Sequence, residues 1–300
     1  MKTKTALSAE KSFDCKVITE FIRDMLKGWI EDNLFGLFSG LNSNVAGVAM
    51  EVGQTPSTWN GGVFSIIQTL SETVIVPVAA VIITYVLCYE LISMLIDRNN
   101  MHEFDTALFL KYIFKAGIAV FLLSKTSDIV MAVFDLGASM SLNAGATIYD
   151  STAIPDVWSD VIAVHARLDA MTTGELWSFV FETMFAKILV NIMSILVTVI
   201  MYGRMIEIYL YVSCAPIPFA TLGNKEWGNI GTNYFRGIFA LALQGFFILV
   251  CVGIYAALVS GIVVADDLRE AVWQLMAHTV VLCFSLFKTG SLAKAVLNAR

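Results

Sequence analysis

Arg204 and Glu207 stand three residues apart, a spacing at which a helix brings the two side chains together. Lys111 and Lys115 stand four apart, on one face of a helix, and Glu90 precedes them across a short turn that would let it pair with either. Gln244 and His278 lie inside two further apolar runs. Charge within a membrane is costly and turns toward protein or water, so these residues are candidates for intramembrane polar contacts. Together they read as a polar inner mouth or a subunit contact. The competing reading is that Lys111, Lys115, Arg204 and Glu207 snorkel at the inner interface.

Bond-making chemistry has no such candidates. Gly223 to Gly228 has the spacing of a phosphate-binding loop but lacks its lysine. The three histidines, His102, His165 and His278, are scattered and form no H-E-x-x-H. Neither G-x-S-x-G nor C-x-x-C occurs. Asp156 and Asp160 read as solvated loop charge. The expectation is a protein with no catalytic residues, no cofactor and no metal. Five cysteines cannot make one closed disulfide set, and Cys88, Cys214, Cys251 and Cys283 lie in apolar runs, where they read as buried free thiols.

The elements that must carry these residues follow from composition. The 300 residues are 57% hydrophobic and 15% charged, with a mean hydropathy of +0.74. Soluble domains carry about 25% charged residues, so a soluble enzyme, a disordered chain and a basic nucleic-acid binder are excluded for the chain as a whole. The predicted fold is all-α, a polytopic transmembrane bundle of about five spans at 72–96, 107–136, 183–206, 235–262 and 271–289. Four regions are expected: an amphipathic N-terminal region over 1–54, a first membrane pair over 55–136, an acidic extracytoplasmic region over 137–182, and C-terminal membrane helices over 183–300.

Charge sign orients the spans. Residues 124–186 hold two basic side chains, Lys125 and Arg167, against eight acidic ones. Arg98, Lys111 and Lys115 cluster at one turn, Arg204, Lys225 and Arg236 at another, and beyond Glu270 there is no acidic residue, only Lys288, Lys294 and Arg300 among the charged ones. Enrichment of Lys and Arg in cytoplasmic loops places the C-terminus in the cytoplasm and 137–182 outside.

Residues 207–224 break the pattern. Pro216 and Pro218 each remove a backbone donor, and Ala215 and Ile217 precede a proline. Two readings are open, a helix that leaves the membrane and ends at Cys214 and a re-entrant elbow. At the N-terminus, Phe13, Val17, Phe21 and Met25 repeat at spacing four among mixed charges, which reads as an amphipathic helix lying in the interface, without the apolar core of a signal peptide; the other reading is that the weakly apolar stretch 34–50 crosses the membrane. Trp59 fits an interface anchor. Gly253, Ala257 and Gly261 form a small-residue face suited to close helix packing.

These residues carry a family resemblance. The run from Arg204 through Ala215-Pro-Ile-Pro218 to Gly223, and the run from Asn233-Tyr-Phe-Arg236 to Cys251, resemble the central signature of the TrbL-like polytopic subunit of type IV secretion systems. Trp59-Asn-Gly-Gly62 and Tyr89-Glu90-Leu-Ile92 fit it as well, and the resemblance covers roughly residues 55–295. It is greatest to the short forms on conjugative elements of Gram-positive bacteria. Many relatives carry long hydrophilic C-terminal tails, whereas this sequence ends at Arg300. The resemblance implies a conjugation-channel subunit that moves DNA or protein, powered by separate ATPases, with further secretion subunits, copies of itself and the lipid bilayer as its partners. The alternative readings are a secondary transporter or permease subunit for a small solute, and a scaffold that anchors other subunits. A transporter built from repeats would show a second broken segment in its other half, and only the one around Pro216 is present.

Overall fold

The computed structural model describes residues 2–96, 106–151, 161–224, 226–262 and 267–299. Among them every regular element is helical. Arg98, His102, Asp156, Asp160, Lys225 and Arg300, singled out above, lie outside the described residues, as does the side chain of Phe13. The helices are α1 (Lys2–Val52), α2 (Pro56–Trp59), α3 (Gly61–Leu70), α4 (Val76–Ile96), α5 (Thr106–Ser124), α6 (Thr126–Ser151), α7 (Val161–Ala170), α8 (Thr173–Cys214), α9 (Pro216–Thr221), α10 (Gly228–Ile262) and α11 (Leu268–Val296). Five helical stretches are long and apolar enough to cross a membrane: Gly61–Ile96, Thr126–Ile148, Thr173–Cys214, Gly228–Ile262 and Leu268–Val296.

The second of these corrects the sequence reading. A single span was expected over 107–136, but the helix is interrupted at Lys125, and α6 continues to Ser151. Thr126 Oγ1 donates to the carbonyls of Leu122 (3.1 Å) and Leu123 (2.8 Å), and such back-bonding disturbs the local helical ladder. A π-helical turn, Ser71–Ile75, joins α3 to α4. Pro77 explains it: without an N–H, and with a ring that crowds the carbonyl four residues earlier, it displaces the preceding turn.

The chain divides into two compact units. The first comprises Met1–Gly47, Ile148–Val197 and Cys251–Phe284. In it α1 and the first part of α8 run parallel. Arg23 donates to the carbonyls of Asp169 and Met171, both at 3.0 Å, Asn33 Nδ2 lies 3.4 Å from Thr183 Oγ1, and Gly36 sits under the Lys187 stem. The buried stripe of α1 is Leu26, Ile30, Leu34 and Leu37, at the spacing of one helix face. The apolar face expected further upstream is not covered: Val17, Ile18 and Phe21 are exposed. Lys27 Nζ lies 2.5 Å from Asp169, and that hydrogen bond holds the Asp169 carboxyl below the usual carboxylate range. Arg269 of α11 pairs with Glu182 of α8, its Nε at 3.1 Å.

The second unit comprises Val48–Thr147, Thr198–Val250 and Ser285–Arg300. One core there joins Val130, Val133 and Phe134 of α6, Met205, Ile208 and Val212 of α8, Phe219 of α9, and Ile238 and Leu241 of α10. Gly137 of α6 makes this packing possible, since a Cβ there would stand 2.8 Å from that of Ala242. A smaller core holds Ala79, Ile83, Ala119 and Ala220, where α9 packs on α4 and α5.

The cysteine expectation is half right. Cys88, Cys214, Cys251 and Cys283 are free thiols, but Cys88 and Cys214 are exposed and the other two half-buried. Their apolar surroundings in sequence reflect surface suited to lipid.

Candidate functional site

The interruption after α8 is one residue long. Ala215 keeps right-handed helical angles (φ −50°, ψ −41°), and α9 begins at Pro216. Pro216 is the first residue of α9 and Pro218 the third, so both missing donors fall among the N–H groups that a helix start leaves unpaired anyway. The cost of about 3 kcal/mol for proline in a helix interior therefore does not apply at either position. The elbow is smaller than the 207–224 expected, because α8 stays helical to Cys214. After α9, Asn224 Oδ1 accepts from the backbone N–H of Glu226 (2.7 Å) and Trp227 (3.1 Å), turning the chain into α10.

Polar side chains of α4 and α5 fasten this turn. Glu90 receives Lys115 Nζ at 2.5 Å and Asn224 Nδ2 at 3.2 Å. Of the two pairings left open for Glu90, the structure selects Lys115. Lys111 is exposed and has no hydrogen-bond or ion-pair partner among the described residues. Tyr89 donates to Glu226 Oε1 at 3.0 Å, and Tyr85 packs on Trp227 with ring centroids 5.6 Å apart. Asn224, Glu226 and Trp227 were missed from sequence because nothing local marks a loop residue as the partner of a helix 130 or more positions away.

Arg204 and Glu207 do not pair. Glu207 Oε1 lies 2.9 Å from Lys294 Nζ of α11, both side chains half-exposed. Arg204 is only 5% exposed and turns toward α10. Its Nε donates to the Leu241 carbonyl at 3.3 Å, while Nη1 is buried without a partner. Gly245 makes room for it, since a Cβ there would stand 2.8 Å from Nη2. Arg204 therefore does not snorkel. Gln244 is buried nearby in sequence, its Nε2 against Gly290 and its Oε1 unpartnered. Glycines 231, 237 and 245 of α10 each receive a neighbour, respectively Leu222 and the Pro218 carbonyl, Tyr211, and Arg204. That glycine series is the signal in the sequence for these contacts.

The arrangement yields a charge-exchange test. Glu207→Lys is expected to weaken the join between α8 and α11, Lys294→Glu in the same chain should restore it, and reversal of Arg204 should not. Thermal stability of the purified variants checks this; rescue through Arg204 would refute the pairing.

Trp59 is not a free interface anchor. Its ring lies edge-on to Tyr202 (5.1 Å) and tilted to Tyr209 (6.0 Å), and Tyr209 donates to the Pro56 carbonyl at 2.7 Å. Asn60 caps α3 by accepting from Val63 N–H at 3.0 Å. In the first unit, His278 bonds locally to the Gln274 carbonyl (2.6 Å). Gly253 packs under Ile148, a Cβ there standing 2.9 Å away, while Ala257 and Gly261 are exposed. Among the described residues no three metal-ligating side chains gather.

Five apolar helices of spanning length, with polar side chains drawn into interhelical contacts, define a polytopic helical membrane protein. A family model described as TrbL/VirB6 plasmid conjugal transfer like protein matches residues 41–216, and the chain belongs to that family. It is a membrane subunit of a conjugal transfer, type IV secretion, complex. The match ends at the first residue of α9, so the run Asn233 to Cys251 lies beyond it. No curated protein and no solved structure matches the chain.

Proposed function

We propose that the chain is a channel subunit that moves DNA, with bound protein, across the cytoplasmic membrane. The family match over residues 41–216 in a chain with five apolar helices carries this reading. The subunit itself catalyses no reaction; ATPases on the cytoplasmic side supply the work, and the elbow around Arg204, Glu207, Pro216 and Pro218 receives them. Several copies surround one axis, because a single chain of five spans leaves little room for a nucleic-acid conduit. The exposed Ala257 and Gly261 face is where copies meet.

The C-terminus is cytoplasmic, by the excess of Lys and Arg beyond Glu270. A cysteine placed at Lys294 is expected to react with an impermeant reagent only after permeabilisation, and cysteines at 161–170 without it. Labelling of position 294 in intact cells would reverse the orientation. The channel role is tested by cross-linking during mating, where the transferred strand is expected to be recovered with this chain. Transfer that requires the protein but leaves no strand attached to it, while other subunits yield one, would make it a scaffold.

A further inference from the structure

We propose that the groove between α5 and the turn after α9 binds one anionic phospholipid, with an acyl chain in the trough and the phosphate on Lys111. The trough is lined by Lys111, Phe114, Lys115, Ile118 and Leu122 of α5, with Leu222 and Gly223 opposite. Its volume is about 390 Å³, within the range of about 300–1,000 Å³ usual for ligand sites.

Length and charge select the occupant. From Lys111 to Leu122 a helix rises about 16 Å, close to the roughly 15 Å of one leaflet's hydrocarbon. Lys115 is neutralised by Glu90 at 2.5 Å. Lys111 is exposed and unpartnered among the described residues, so one positive charge stands at one end of an apolar trough. A basic side chain there favours an anionic headgroup over a zwitterionic one. The inference is independent of the channel reading and of the direction in which the spans cross.

The experiment counts lipids retained by the full-length protein in detergent by native mass spectrometry, with phosphatidylglycerol and phosphatidylcholine as probes. One phosphatidylglycerol is expected, favoured about fivefold, the factor for one basic side chain at an anionic surface. Lys111→Gln should bring the ratio to about one, Lys111→Arg should keep it, and Lys125→Gln, whose partner is Asp128 outside the groove, should leave it unchanged. Gly223→Leu, whose Cβ would stand 3.4 Å from Ala119, should lower retention of both lipids. No preference in the wild type, a preference that survives Lys111→Gln, or full retention by Gly223→Leu would each overturn the proposal.

Discussion

Replacing Pro216 and Pro218 together by alanine is expected to leave the protein in the membrane at normal abundance and to reduce conjugal transfer to background. Ala215 already has helical angles, so the interruption there is held by missing donors rather than by an extended backbone. Alanine restores two N–H groups and lifts the penalty of about 3 kcal/mol per position that proline would impose on an uninterrupted helix from Thr173 to Thr221, so that state becomes open to the chain. Straightening α8 into α9 would pull Ala220 from its contact with Ala79, Ile83 and Ala119 and release the turn that Asn224 ties to Glu90. Gly231→Ala attacks the same elbow with both prolines present, because the new Cβ would stand 2.7 Å from the Pro218 carbonyl and 2.6 Å from Leu222. Mating frequency alongside membrane abundance decides the matter. Normal transfer by both variants at normal abundance would reduce the elbow to a packing feature.

Arg204→Met should abolish transfer without lowering stability. The guanidinium is buried, makes one hydrogen bond to Leu241, and has no carboxylate partner among the described residues. A buried charge without compensation costs several kcal/mol, and an apolar replacement of similar volume is often neutral or stabilising. Fold stability alone therefore gives no reason for arginine at this position. Arg204→Glu, by contrast, would set a carboxylate against the Leu241 carbonyl and should lower abundance sharply. Reversing Glu207 should not repair it, because Glu207 is engaged by Lys294. Unaltered mating by the methionine variant, or a marked fall in its unfolding temperature, would contradict this account.

The sequence made the helical class plain through its long apolar runs, and it marked the proline break and a Glu90 pairing through local rules, proline's missing donor and charges facing each other across one turn, while leaving open the form of the break and the choice between Lys111 and Lys115. It was less informative about where helices pause. Lys125 is one of five charged residues within 107–136, with Lys111, Lys115, Asp128 and Asp135, so its charge alone does not mark a break, and Pro77 lies inside a run that hydropathy alone describes. The largest loss came from the solvent itself. Lipid is as apolar as a protein core, so hydrophobicity does not separate inside from outside. Phe114, at 71% exposed, and Phe219, at 1%, are chemically the same residue. Thus the free cysteines were placed too deep, and the partner of Arg204 was sought on its own helix when it lay across α10.

The pairing of α1 with the end of α7 and the start of α8 sets an order of events during synthesis. Arg23 finds its acceptors 146 and 148 residues later in the chain. At about 5–20 residues per second, the ribosome needs roughly 7–30 seconds to make that interval. Throughout it, the stripe of Leu26, Ile30, Leu34 and Leu37 has been made and its α8 partner has not. The nascent helix must therefore be sheltered by the insertion machinery, by chaperones or by lipid, and a chain released before α8 would carry that stripe uncovered into the membrane surface. Of the two helices, α1 is translated before α8 and its packing can be completed only after it.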